Sequence, residues 1–365
     1  MWNYRSAVIA AAAAFVVDIG CSVLAEEIGD DAASTTESIS DPLTQRARHG
    51  WRFEFANDAF VDSDSQFTNG IWFQKHSSMA GSLDDLHGVP TFGKGLARMF
   101  LPRDDGLVYR TAIGIGQSMG TPSAKKDPNI ILDDTPYFGF LGASSSWIGF
   151  DDARFTGFAV TAGIVGEYAL AEYVQKGFHA LTGATDPAGW EHQLDNEPVL
   201  NFYFSKKHKF WNTPGFDAAL SGDVAVGNFM TSMSSGIEMR IGRKPGGFAY
   251  VNNPLGGGPA YDATLPRRDN RAEFYMTLVA RAWAWTTYMP LEGNTFVNGN
   301  EWTENNTIEP ENVIGQGIIG IHYVNPSWGL HITWTFNSDT VDPKSLAPDA
   351  DKNDDFGGIT FEWRF

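Results

Sequence analysis

Cysteine is almost missing from this chain of 365 residues, where Cys21 is the only one. Beyond position 21 there is nothing from which to build disulfides, thiolate zinc sites or a thiol nucleophile. Charged residues are few, 19% of the total, and they lean to one sign, giving a formal net charge of −18. That balance argues against a nucleic-acid surface, so no nucleic-acid partner is expected. Long apolar runs are missing as well: the best is Ala7–Val17, eleven residues, too short to cross a bilayer as a helix. A membrane-bound chain without helices must close a sheet on itself, because an open edge would leave backbone groups unpaired in lipid.

The N-terminus carries Arg5, then that apolar run, then Val23-Leu24-Ala25 before Glu26. This order predicts a secretory signal peptide over residues 1–25, cleaved near Ala25. Asp18 sits where a lipoprotein signal ending at Cys21 would want an aliphatic residue. Arg5 and Asp18 cancel, so the mature chain keeps its charge of −18 and loses its cysteine. Residues 26–48 are acidic, rich in Ser and Thr and poor in apolar side chains, and read as a flexible lead-in. Residues 49–365 form the main domain.

Its composition is that of a barrel, with 39 Gly, 26 Phe and 12 Trp. Segments of about ten residues with alternating apolar character recur at 51–57, 68–79, 107–118, 138–149, 154–165, 198–208, 214–227, 231–243, 271–287, 311–324, 327–337 and 355–365. The expected fold is therefore all-β: an antiparallel transmembrane β-barrel of about twelve strands, the even number being typical of outer-membrane barrels. In the last segment Ile359, Phe361, Trp363 and Phe365 share one face, against Thr360, Glu362 and Arg364 on the other. Trp328, Leu330, Ile332, Trp334 and Phe336 alternate likewise with His331, Thr333 and Thr335. A soluble β-sandwich would alternate too, but aromatic girdles account better for so many rings at strand ends.

With a periplasmic N-terminus, the connections after odd-numbered strands are extracellular. Residues 58–67, 119–137 and 166–197 then gather at one end. Two periplasmic connections, 80–106 and 244–270, come out long, and are expected to plug the barrel or fold beneath it. Residues 168–182 read as a helix in an extracellular loop, with Gln175 and His179 on one face.

The loop of 55–70, FANDAFVDSDSQFTNG, concentrates oxygen-bearing side chains of the kind that hold a hard cation such as calcium. Asp62 and Asp64 are among them. The twelve-residue EF-hand spacing with its terminal Glu is absent. Four further segments follow in order: GQSMGTPSAKKDP at 116–128, DDTPYFGFLGAS at 133–144, VGEYALAEYVQKGFHALTG at 165–183 and GWEHQLDNEP at 189–198. Together, over roughly residues 51–210, they resemble the lipid A 3′-O-deacylase family of Gram-negative outer membranes.

The resemblance implies an outer-membrane ester hydrolase that removes the 3′-linked acyloxyacyl chain of lipid A, with its site towards the cell exterior. It implies His179 as general base, a role imidazole suits because it exchanges protons near neutrality. Gln175 would position the attacking water or the histidine. Asn57, Asp58 and Thr68 belong to the site, with Asp58 the leading carboxylate for a calcium ion. Lys125 and Lys126 face substrate phosphate or the oxyanion; they differ by one position in the match, and Lys126 is favoured. Thr135 departs from the family, which often carries Arg in the D-R-P-Y element. Expected partners are lipid A within lipopolysaccharide, the outer-membrane bilayer and, through terminal Phe365, the barrel assembly machinery.

No G-x-S-x-G elbow is expected, so a serine nucleophile would have to come from ordinary loop serines such as Ser123. HExxH and paired CxxC motifs are absent, which removes zinc proteolysis. The competing readings are a non-enzymatic narrow porin or structural barrel, with Arg52, Glu54 and Glu362 filling the lumen, and an outer-membrane phospholipase.

Overall fold

Strict alternation gives each strand one row of side chains facing lipid and one facing inward, and twelve such strands can satisfy every ladder only by closing. The computed structural model describes residues 49–365 apart from 62–65, 87–90, 105, 184–185, 250–260 and 266–270. The signal-peptide and lead-in readings, residues 1–48, lie outside the described residues, as do Asp62 and Asp64.

Fourteen strands are described: β1 (Gly50–Asn57), β2 (Gln66–His76), β3 (Val108–Thr121), β4 (Phe138–Phe150), β5 (Arg154–Val165), β6 (Glu197–Thr213), β7 (Phe216–Gly227), β8 (Met230–Arg243), β9 (Gly246–Gly247), β10 (Thr264–Leu265), β11 (Glu273–Tyr288), β12 (Val313–Val324), β13 (Trp328–Asn337) and β14 (Phe356–Arg364). All but β9 and β10 form one closed antiparallel barrel of twelve strands, each paired to its neighbours in sequence. The seam joins β1 to β14 in the register Trp51↔Trp363 and Phe53↔Phe361. The four described helices are short: α1 (Thr91–Phe100), α2 (Ala171–Thr182), α3 (Met289–Glu292) and α4 (Glu301–Asn305). Among the described residues no helix is long and apolar enough to cross a membrane.

The outward row is apolar, with Phe53, Phe73, Ile113, Ile115, Leu200, Ile319 and Trp363 partly exposed. The inward row is polar and buried, as for Thr360, Glu362, His331, Thr333 and Thr335 in the last strands. Buried charge is costly unless paired, and here it is paired: Arg52 with Glu362 at 3.1 Å, Lys207 with Glu238 at 2.8 Å, and Lys209 and Lys244 with Asp217 at 3.0 and 2.9 Å.

Both ends of the lumen are filled. At the end carrying the β1–β2, β3–β4 and β5–β6 connections, Phe138, Phe140, Phe229, Trp283, Trp285, Leu291 and Trp302 belong to one apolar cluster. At the other end the β9–β10 ribbon enters the barrel. Phe248, Ala263 and Leu265 pack against inward Val108, Phe150 and Phe155, and Asp262 pairs with Arg110. This connection plugs the lumen, as one of the two expectations had it.

The other long connection corrects the expectation. The described residues of 80–106 neither plug the barrel nor fold beneath it: Leu83, Leu86, Ala97 and Leu101, with Leu107 just beyond, pack with Tyr109, Trp147 and Phe158. The ladder pairs Trp147 with Thr111 and Phe158, and Ile113 with Ser145, which places those rings in the outward row. The segment lies against the outside of the wall because its own leucines find a sufficient apolar surface there.

Candidate functional site

Three connections at one end of the barrel carry the sequence-derived candidates, and each is shaped by local hydrogen bonding. After β1, Asn57 forms an Asx turn, its Oδ1 accepting from Ala59 N at 2.9 Å while its Nδ2 donates to Thr68 O at 2.7 Å. The β2–β3 ladder shifts register between Phe67 and Asn69. Thr68 is the extra residue of this bulge, a device that re-aims a side chain; its hydroxyl bonds that of Thr121 at 2.9 Å. Asp58 is buried in the following 3-10 turn.

The β3–β4 connection is built around Asp134. Its carboxylate accepts from Ser123 N and Thr135 N at 2.8 and 2.7 Å, although burial pushes its pKa above the usual range. Tyr137 donates to Lys125 O at 2.8 Å. Burial raises this phenol to about 12, so it keeps its proton. Ala188 N also donates to Lys125 O, at 2.8 Å. These bonds fix the backbone that presents Lys125 and Lys126.

Helix α2 begins after Leu170, in left-handed conformation at φ 60°, and ends at Gly183, whose N–H bonds His179 O. It lies on the outer wall, and a glycine lets it do so: a Cβ on Gly139 would come within 2.5 Å of the Ala171 Cβ. Gln117 Nε2 donates to Ala169 O at 2.5 Å and ties the preceding turn to β3. The motif residues Gln117, Asp134, Tyr137 and Trp190 thus scaffold the helix and the lysine turn.

Asn57, Asp58, Thr68, Lys125, Lys126, Gln175 and His179 all line one cavity of about 540 Å³, together with Phe55, Phe60, Asn69, Ile71, Met119, Val174 and Phe178. The register pairs Phe55 with Ile71 and Asn57 with Asn69. These residues share the outward row with Phe53 and Phe73, so the cavity sits between the barrel's outer wall and α2. It does not open into the lumen. Phe55 and Phe178 bring wall and helix together with centroids 6.3 Å apart.

Gln175 is 3% exposed, and its Oε1 accepts the Trp190 indole N–H at 2.8 Å. Because an indole only donates, the amide orientation is fixed. Gln175 Nε2 is buried with no hydrogen-bond partner, an unspent donor beside His179.

Asp58 is the only carboxylate lining the cavity among the described residues. No group of three or more His, Cys, Asp or Glu side chains converges among the described residues. The donors are oxygens, from a carboxylate, amides, a hydroxyl and nearby carbonyls, a set that suits a hard cation and not zinc.

Thr135 is buried and does not line the cavity. Ser123 is engaged elsewhere, its hydroxyl accepting from Asp351 N. The expected absence of G-x-S-x-G is corrected by G-Q-S-M-G at 116–120, which has that spacing around Ser118. It lies within β3 and not on a strand-to-helix turn, and it is buried in the inward row, away from the cavity.

Sequence reading also missed Asp186, whose Oδ1 lies 3.8 Å from His179 Nδ1 with a side chain 62% exposed. An exposed acid just beyond a helix end carries no sequence signal.

A family model described as outer membrane protein LpxR matches residues 10–365. Among solved structures, LpxR from Salmonella typhimurium is similar at 13% identity and a TM-score of 0.64, covering 87% of this chain and 100% of that one. The β-domain of the Bordetella autotransporter BrkA covers 87% and 100% at 9% identity and a TM-score of 0.41. The translocator domain of NalP from Neisseria meningitidis covers 97% and 98% at 8% identity and a TM-score of 0.38. The last two are too distant to carry an argument. No curated protein sequence matches.

Proposed function

Because the chain belongs to the LpxR family of outer membrane proteins, we propose that it is an outer-membrane lipid A deacylase that hydrolyses the 3′-linked acyloxyacyl ester. The observation that carries this reading is the convergence of seven residues from three connections on one cavity of the outer wall. A lipid held in the outer leaflet reaches such a cavity sideways, with its acyl chains along outward Phe53, Phe73, Ile113 and Ile115.

In the reaction, a ring nitrogen of His179 takes a proton from water as its oxygen bonds the ester carbonyl carbon. The carbonyl oxygen becomes an oxyanion, and fixed donors stabilise it there. Gln175 Nε2, held outward by Trp190, is one such donor, and Lys126 or Lys125 adds positive charge. When the oxyanion collapses, the bond from the carbonyl carbon to the sugar oxygen breaks and His179 returns its proton to that oxygen. A carboxylic acid and a free sugar hydroxyl result. Asp58 would hold a calcium ion, with Asn57 and Thr68 beside it. Bound there, the ion would supply positive charge where the carbonyl oxygen gains electrons.

The porin reading loses support from the filled lumen: Arg52, Arg110, Glu238 and Arg240 are each under 5% exposed. A serine mechanism loses support because no serine lines the cavity among the described residues.

Mass spectrometry of lipid A from cells making the wild type or His179→Ala, with membranes given calcium or chelator, tests the proposal. Calcium-dependent loss of one acyloxyacyl unit, absent in the variant, is expected. Unchanged lipid A in every sample with a folded barrel would overturn it, and turnover of glycerophospholipid instead would redirect it to a phospholipase.

A further inference from the structure

Helix α1 has an unusual seat. Its inner side presses Phe100 onto Phe158 and Phe204, with centroids 4.4 and 4.8 Å apart, and buries Ala97 beside them, with Leu101 buried just past the helix end. Those rings belong to the outward row, the surface a barrel turns to lipid. The β5–β6 register gives the height of this contact. From the Phe158↔Phe204 pair, one step towards the site end meets Val160↔Phe202 and then Ala162↔Leu200. One step the other way meets Thr156↔Lys206 and then Arg154↔His208. The helix therefore lies where the wall changes from apolar to charged.

Its own residues repeat that division. Met99 projects away from the wall at 74% exposure, while Lys94 and Arg98 bond Asp84 at the margin and Arg154 pairs with Asp104 at 2.9 Å. An unbranched apolar side chain beside long basic ones, lying across a lipid-facing surface at its polar edge, is the arrangement of a helix that rests in a membrane interface.

We infer that α1 is an interfacial helix docked on the barrel, seated in the phospholipid leaflet opposite the site end with Met99 in its hydrocarbon. The occupant of its outer face is lipid, by continuity with the wall on which it packs. The segment acts as a collar: sliding the barrel towards the site end would bury Lys94 and Arg98 in hydrocarbon, and sliding it the other way would drag Met99 into headgroups.

An environment-sensitive fluorophore attached after Met99→Cys, in a Cys21→Ser background, tests this in the full barrel reconstituted in phosphatidylethanolamine and phosphatidylglycerol vesicles. Met99 is exposed, so folding is expected to survive. Labels after Ile115→Cys and Asp342→Cys serve as lipid and water references. The expected result is blue-shifted emission quenched by phospholipids carrying a nitroxide near the glycerol, and unchanged on diluting the barrel in lipid. Emission like the Asp342 label, quenched only by iodide, would overturn the inference. So would a blue shift that fades on dilution, since another barrel would then cover the helix.

Discussion

Trp190 donates its indole N–H to Gln175 Oε1 at 2.8 Å, and this bond decides which end of the amide faces the cavity. Trp190 belongs to the G-W motif and Gln175 to the helix motif, so two sequence signatures fifteen positions apart meet in one contact. Trp190→Phe keeps the ring packed on Tyr137, at 5.1 Å, but frees the amide to turn. Losing one oriented donor is worth about 1.5 kcal/mol, or roughly tenfold in rate. Deacylation by Trp190→Phe should fall about that much, with Gln175→Ala at least as impaired and the barrel intact in both; equal rates for wild type and Trp190→Phe would remove the amide from the reaction.

Gly139 is the wall glycine whose substitution should act directly on α2. An alanine there would put its methyl within 2.5 Å of the Ala171 Cβ, and overpacking typically costs about 1–3 kcal/mol. The strain can be relieved by lifting α2, which carries Gln175 and His179. Gly139→Ala should lower activity and speed amide exchange in 171–182 while strand exchange stays unchanged.

Asp354 sits in the β13–β14 connection, 4% exposed, with Phe67 N donating to its Oδ1 at 3.2 Å. Burial, reinforced by neighbouring Asp355, raises its pKa from 3.8 to about 7. The folded state therefore holds a proton that the unfolded chain releases near pH 4. Stability contributed by the protonated form is full below about pH 4 and is lost as pH rises to about 7, an effect on the order of 4 kcal/mol at most. Between pH 5 and 8, exchange in residues 338–355 should quicken in the wild type and stay flatter in Asp354→Asn.

The plug gives a different readout. Planar bilayers containing the barrel should show no steady conductance, because charged rows and the β9–β10 ribbon fill the lumen. Asp262 faces Arg110, and Arg52 at 3.8 Å, so Asp262→Ala would take a carboxylate from beside two buried guanidinium groups, at up to roughly 3–5 kcal/mol. Its unfolding temperature should drop, and intermittent conductance is the expected companion.

The strand ladder was legible because period-two alternation is a local property: each of the twelve segments read from sequence overlaps a barrel strand. Helix α2 was legible for the same reason, over 171–182 against a reading of 168–182. The outer-wall position of the cavity was within reach, since Asn57 shares parity with Phe53 and Phe55, but parity matters only once the strand is known to run to its rim. What stayed hidden was tertiary. The hydrogen bond from Trp190 to Gln175 depends on how the β5–β6 connection folds back on itself, and the place of the 80–106 connection depends on an apolar wall made by strands further along the chain. Ser118 shows the opposite error, a motif whose spacing fits while its side chain faces inward.

The cavity's place between α2 and the outer wall changes what limits turnover. A substrate that arrives sideways is counted by its mole fraction in the leaflet, not its molarity in water, and it meets the enzyme by diffusion in two dimensions. Rates measured in mixed micelles should then fall as detergent is added at constant substrate, a surface-dilution behaviour that a cavity opening into the lumen would not impose.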